Sequence, residues 1–317
     1  MPTFCRHNRL VERCPICSKQ DRSSSPTRSA PRRPSKPAGA PTRAPRKSAS
    51  GGMVTRRMQR APDDGYEHDL VPGLRSSVDA ARLADELALS DARLLALPNE
   101  PFFAELAAEP DRDRAARVAF LTAYLWPVDG AEDPFASIRA VAADPAALSS
   151  AQTGAMSSHD PAKGERVLDA FQHWADRSGG PHAALVGDEG WDPARRFDRA
   201  FERLGGVARP SRLEFLVIAA RLQLAEMDIN TMHLSAATPM DPVLLAAKRI
   251  LGIGDIILLR RRANELAHAV GVPVAAMDLA LFNWAAGPEE ARTTGGLDVE
   301  ADAEVRARIA GALGLAP

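Results

Sequence analysis

From about residue 65 onward the apolar residues of this chain recur at helical spacing, and no convincing period-two run interrupts them. That regularity implies an all-α fold, a multi-helix bundle of about ten helices in one domain over residues 63–317. Capping residues mark candidate starts, Ser77 for a helix over 77–87 and Asp91 for another over 91–97. The run from Ala115 to Trp126 is apolar nearly all round and reads as a buried helix, as does Leu213 to Leu224. Helices are also expected over 166–177, 193–204 and 301–313, the last stopped by Gly314. The segment 144–162, with its run SSAQTGAMSSHD, reads as a loop. Trp126, Trp174 and Trp284 fall at helical apolar positions and are expected in the core.

An apolar fraction of 45% over 317 residues allows a genuine core. No stretch of about eighteen apolar residues occurs, so no membrane span is expected. The start, MPTFCRHNRL, lacks the apolar region of a secretory signal, and the expected location is the cytoplasm. A net charge of −1 conceals a split: residues 1–62 carry 15 Lys and Arg against 2 Asp and Glu, and the remainder carries 25 against 39. A basic arm before an acidic body is the pattern of a tail that seeks a polyanion or folds back on its own domain. The acidity of the body argues against a wide electrostatic footprint on DNA. Residues 21–62 are rich in Pro, Ser and Arg and contain no aromatic residue, so they cannot bury enough surface to offset ordering and are expected to form a disordered linker.

All three cysteines lie in the first seventeen residues beside a histidine, as Cys5-Arg6-His7 and Cys14-Pro15-Ile16-Cys17. A C-x-x-C turn sets two thiolates on one side of a metal ion, and a C-x-H pair supplies the other two ligands of a tetrahedron. Four protein ligands leave no open position for water, so Cys5, His7, Cys14 and Cys17 read as a structural Zn2+ site, a zinc knuckle over residues 1–20. A redox pair or chance clustering is the plainer alternative. Such a module suits contact with nucleic acid or protein.

Leu244 to Ala267 reads as a helix, a turn Leu251-Gly252-Ile253-Gly254, and a second helix capped by Asp255. On the second helix Ile256, Leu259, Ala263, Leu266 and Val270 share one face, and Arg261, Arg262, Glu265 and His268 point away. Two glycines around an apolar residue let the backbone turn sharply with its N–H groups exposed at a helix start, which is a phosphate-binding arrangement. This segment resembles the helix-hairpin-helix element of the DNA glycosylase superfamily, whose hairpin reads Leu-Pro-Gly-Val-Gly or similar. In that family a small loop, often Gly-x-Pro, follows, and then an Asp that opens the next helix and serves the chemistry. Here Gly271-Val272-Pro273 follows, and the match places Asp278, 24 residues beyond Gly254, on that aspartate. The resemblance spans roughly residues 210–286, including the buried helix around Leu213 to Val217 that precedes the hairpin. Together the features look closest to a divergent branch, the alpha-glutamyl/putrescinyl thymine pyrophosphorylases, associated with hypermodified thymine in DNA.

The resemblance implies a DNA-directed enzyme acting on a flipped, modified base by glycosidic cleavage or by substituent exchange. It implies that the Gly252, Ile253 and Gly254 segment, helped by Lys248 or Arg260, grips a backbone phosphate. Asp278, ionised, would stabilise positive charge developing at the sugar or activate the attacking group. Ile256 stands where bifunctional members carry a Schiff-base lysine, so no lyase step is implied, and the cysteines of a C-terminal iron–sulfur cluster are missing. The residues alone leave a second class open: a non-catalytic adaptor that binds nucleic acid or protein through the zinc knuckle and arm. In that case the Gly-x-Gly turn is plain helix packing and Asp278 a surface carboxylate on one continuous helix over 274–286. The two classes part at Asp278, which an enzyme needs in a cleft facing the hairpin and an adaptor tolerates in solvent.

Overall fold

The computed structural model describes residues 61–315; the cysteine–histidine quartet and nearly all of the linker lie outside this range. Among the described residues no strand occurs and the fold is all-α. Twelve α-helices run in order: α1 (Ser77–Ala96), α2 (Pro101–Ala108), α3 (Arg112–Leu125), α4 (Ala136–Ala143), α5 (Gly164–Asp176), α6 (Pro181–Val186), α7 (Pro193–Arg203), α8 (Arg209–Arg221), α9 (Pro242–Leu251), α10 (Ile256–Val270), α11 (Val274–Ala286) and α12 (Ala303–Ala312). Aspartates set many of the starts. Asp111, Asp192, Asp241, Asp255 and Asp302 each accept a hydrogen bond from a first-turn amide, satisfying donors that have no partner within the helix.

The core is organised around α11, which is buried nearly all round and packs against α1 on one side and α9 on another. Its polar groups must therefore be satisfied inside the protein. Asn283 accepts from Thr293 N at 3.1 Å and donates to the Thr293 carbonyl at 3.0 Å, and the Trp284 indole donates to the Asp79 carbonyl at 3.0 Å. A second layer joins α3 to α8 and α5. Phe120 stacks on Phe171 at 4.0 Å and meets Phe215 edge-on at 5.8 Å; burying each such ring contributes about 1.5–3 kcal/mol. Trp126, Trp174 and Trp284 are buried, as their spacing implied. No single helix among the described residues is long and apolar enough to cross a membrane.

Three local expectations differ from the structure. The two helices expected to start at Ser77 and Asp91 are one, α1, because Ala88, Leu89, Arg93 and Leu94 are all buried and continuous packing outweighs the capping option offered by Ser90-Asp91. The helices α2, α4 and α6 were not legible, each being too short to display more than about two turns of period. The 144–162 loop contains one 3-10 turn, Pro145–Ser150, started by Asp144 accepting from Ala146 N.

Candidate active site

Asp278 occupies the second turn of α11 and does not open the helix, which starts at Val274 directly after Pro273. It is 7% exposed, so its carboxylate is in the interior. Its partner is Arg209, the first residue of α8: Nη1 donates to Oδ1 at 2.7 Å, and Nη2 to Oδ2 at 3.4 Å. The same guanidinium donates from Nε to Asp241 Oδ2 at 2.6 Å and from Nη1 to the Met232 carbonyl at 3.3 Å. Asp241 Oδ1 accepts from Val243 N at 3.0 Å and thereby caps α9. One guanidinium thus serves two buried carboxylates, an uneven balance that leaves the centre one negative charge in excess when all are ionised.

That imbalance has a titration consequence. Burial, the largest cause, pushes the Asp278 carboxyl above its ordinary value; Arg209 opposes the rise, and Asp241 and Glu214 add to it. Glu214 is itself paired with the buried Arg93 at 2.6 Å. Burial acts to lower Arg209, but the two carboxylates outweigh it and hold its proton more tightly than usual. Asp278 is therefore closer to proton exchange than an exposed aspartate, which is the property acid–base chemistry asks of a carboxyl.

A cavity of about 460 Å3 opens against this centre, within the size range of small-molecule sites. Asp241 and Pro210 line it beside Arg209, Phe282 lines it one turn beyond Asp278, and Met156, Ser157 and Ser158 close it from the loop. Asp278 itself stands behind this wall. The loop is fastened to the end of α3: Gly154 N donates to the Leu125 and Trp126 carbonyls at 3.1 and 2.9 Å, and Ser157 Oγ to the Tyr124 carbonyl at 3.0 Å. Trp126, which ends α3, has φ of 56°, uncommon for a bulky residue. Its Nε1 donates to Thr293 Oγ1 at 2.8 Å and the Arg93 guanidinium lies 5.0 Å from its ring centre, which hold it there. Trp126, Met156 and Leu279 pack together with Phe282 in a small apolar group beside the cavity.

The glycine turn lies at the other end of α9 from Asp241. Gly252 is left-handed (φ 65°, ψ 17°), and Asp255 accepts from Leu258 N at 3.0 Å to start α10. Gly252 and Gly254 are exposed and Ile253 is half-buried; Gly252 packs against Gly73, whose N donates to the Ile250 carbonyl at 2.9 Å. Lys248 is half-buried in the last turn of α9, close to the turn in sequence. Arg260 is directed away from it, with Nε and Nη2 donating to the Leu234 carbonyl at 3.0 and 2.6 Å and so bracing the segment that leads into α9. Arg261 and Arg262 pair with Glu265 on the exposed face. The turn and the cavity border opposite ends of α9, whose ten residues span about 15 Å.

The structure therefore leaves Gly252, Ile253 and Gly254 at the end of α9 whose last turn carries Lys248, sets Asp278 apart from them, and engages Arg260 in another contact. Cys5, His7, Cys14 and Cys17 lie outside the described residues, within which no group of His, Cys, Asp and Glu is arranged to hold a metal ion. The sequence reading did not single out Arg209 or Asp241. The Asp241-Pro242 start of α9 carries a visible cap-and-proline signal, but nothing local indicates that an arginine 32 residues earlier pairs with it. No protein-family model matches the chain, and neither a curated protein nor a solved structure does.

Proposed function

We propose that this chain is a DNA-directed enzyme of the helix-hairpin-helix glycosylase type, related to the alpha-glutamyl/putrescinyl thymine pyrophosphorylase branch. A flipped, modified base enters the cavity beside Asp241, and Asp278 supplies the reacting carboxylate. The observation that carries this reading is the burial of Asp278 in an ion-paired centre one layer behind a cavity of ligand size. The exposed Gly252 and Gly254, around Ile253 at the start of α10, support a phosphate contact at the far end of α9, with Lys248 adding charge. Ile256 brings no amine, so cleavage or substituent exchange proceeds without a Schiff base. Cys5, His7, Cys14 and Cys17 hold a structural Zn2+ that folds the first residues and takes no part in the reaction. With the basic arm, this knuckle adds a second contact to DNA.

One observation favours the adaptor reading: both oxygens of Asp278 are engaged by Arg209, as in a purely structural ion pair. Incubation of the wild type and Asp278→Asn with genomic DNA from ordinary and base-hypermodified phages separates the two. Released bases and digested nucleosides are read by mass spectrometry. Loss or conversion of one base by the wild type alone is expected. No change on any DNA, in a protein that still binds DNA with steep salt dependence, assigns the adaptor role instead. Elemental analysis is expected to find one zinc per chain, lost in Cys14→Ser.

A further inference from the structure

The proposed reaction uses Asp278 but leaves open what aims it. Arg209 has a side chain 1% exposed, and all three of its guanidinium nitrogens donate: two to Asp278 and one to Asp241. A fork that meets a carboxylate through both terminal nitrogens fixes its plane as well as its distance. The third nitrogen reaches the cap of α9, the helix that leads to the glycine turn. Asp278 is thus held from α8, by a guanidinium that is also anchored at the start of α9, while its own helix contributes no charged partner. The charged groups facing it are Arg209 and Glu214 from α8 and Asp241 from the start of α9, with Glu214 occupied by Arg93.

We infer that Arg209 is the positioning residue of this site, aiming the Asp278 carboxylate and tying it through Asp241 to the hairpin helix. The inference rests on Asp278 as the reacting carboxylate and adds the residue that sets its orientation. It also fixes two opposite perturbations. Without the guanidinium, burial and Asp241 act on Asp278 unopposed and its proton is held more tightly. With Asp241 neutral, the whole charge of Arg209 falls on Asp278 and the proton is released more easily.

Three variants of the full chain test this: Arg209→Gln, which removes the charge; Arg209→Lys, which keeps the charge and loses the fork; and Asp241→Asn, which keeps a good helix cap. Carbon-13 NMR of carboxyl-labelled aspartate, assigned with Asp278→Asn, reads the Asp278 midpoint with no substrate present. The midpoint is expected to rise by about 1–3 pH units in Arg209→Gln and to fall in Asp241→Asn. Should Arg209→Gln not fold, Arg209→Lys and Asp241→Asn carry the test. On the genomic DNA that the wild type acts on, the acid limb of base release is expected to move with the midpoint in each variant. In Arg209→Lys kcat is expected to fall on the order of 10–100-fold with KM little changed. Full activity in Arg209→Lys, or an acid limb that stays put while the carboxyl midpoint moves, overturns the positioning role and leaves Asp278 as the reacting group. If the wild type acts on no DNA, the functional reading has failed. The titration then still decides the hold of Arg209 on Asp278: one midpoint shared by the wild type and the variants refutes it.

Discussion

The two ends of α9 settle unpaired backbone groups in opposite ways. At the start, Asp241 caps the helix from inside the protein, and its second oxygen is shared with the buried Arg209 and, through it, with Asp278. At the end, Gly252 turns the chain in the left-handed region, and the Ile250 carbonyl accepts from Gly73 N at 2.9 Å. The buried end turns on Arg209, which serves Asp241, Asp278 and the Met232 carbonyl, and removing it leaves both carboxylates in a medium that cannot solvate them. The exposed end rests on the conformation of Gly252 and on that one backbone hydrogen bond. Damage at the first is expected to appear as a large loss of stability, and damage at the second as a smaller loss of stability together with lost affinity.

The largest effect expected is from Arg209→Ala, which leaves two buried carboxylates without their cation. A loss of about 3–5 kcal/mol is expected, read in calorimetry as a fall in Tm of about 10 °C. A Tm equal to that of the wild type would remove the distinction between the two ends. Next is Gly252→Ala. An added Cβ meets Gly73 N at 3.4 Å, an ordinary contact, so the cost is that of a left-handed alanine, about 1–2 kcal/mol in urea melts. Asp278→Asn sharpens the contrast through pH. A carboxyl whose proton is held more tightly in the folded state destabilises the fold when ionised. Asp278→Asn should therefore melt above the wild type at about pH 8, and the two should converge near pH 3 where the aspartate is protonated in both states. The smallest stability effect belongs to Lys248→Ala. Its Tm should match the wild type, while the slope of log affinity for DNA against log salt falls by about 1.

What the sequence disclosed follows the same division. Turn and cap chemistry is local, so the left-handed Gly252, the Asp255 cap and the stop at Gly314, with φ of 70°, were readable from neighbouring residues. Burial of α11 was only half readable: Val274 to Ala286 is one helix as its pattern allowed, but whether Asp278 faced water or core depended on α1 and α9 packing around it. The partner of Asp278 comes from 69 residues earlier, and no period or motif links those positions. Ser90-Asp91 shows the converse, a local signal outweighed by continuous burial along α1.

Trp126 gives the cavity an optical handle. Its indole packs in one group with Met156 and Phe282, and both of those side chains line the cavity, while its N–H and ring face are held by Thr293 and Arg93. An occupant that displaces either lining residue changes the polarity and the quenching around Trp126, against a background from the buried Trp174 and Trp284 and the half-buried Trp191, which lies under Arg195 and Arg203. Filling of the cavity is thus expected to register in the native emission of the unlabelled protein, separately from any event at the glycine turn.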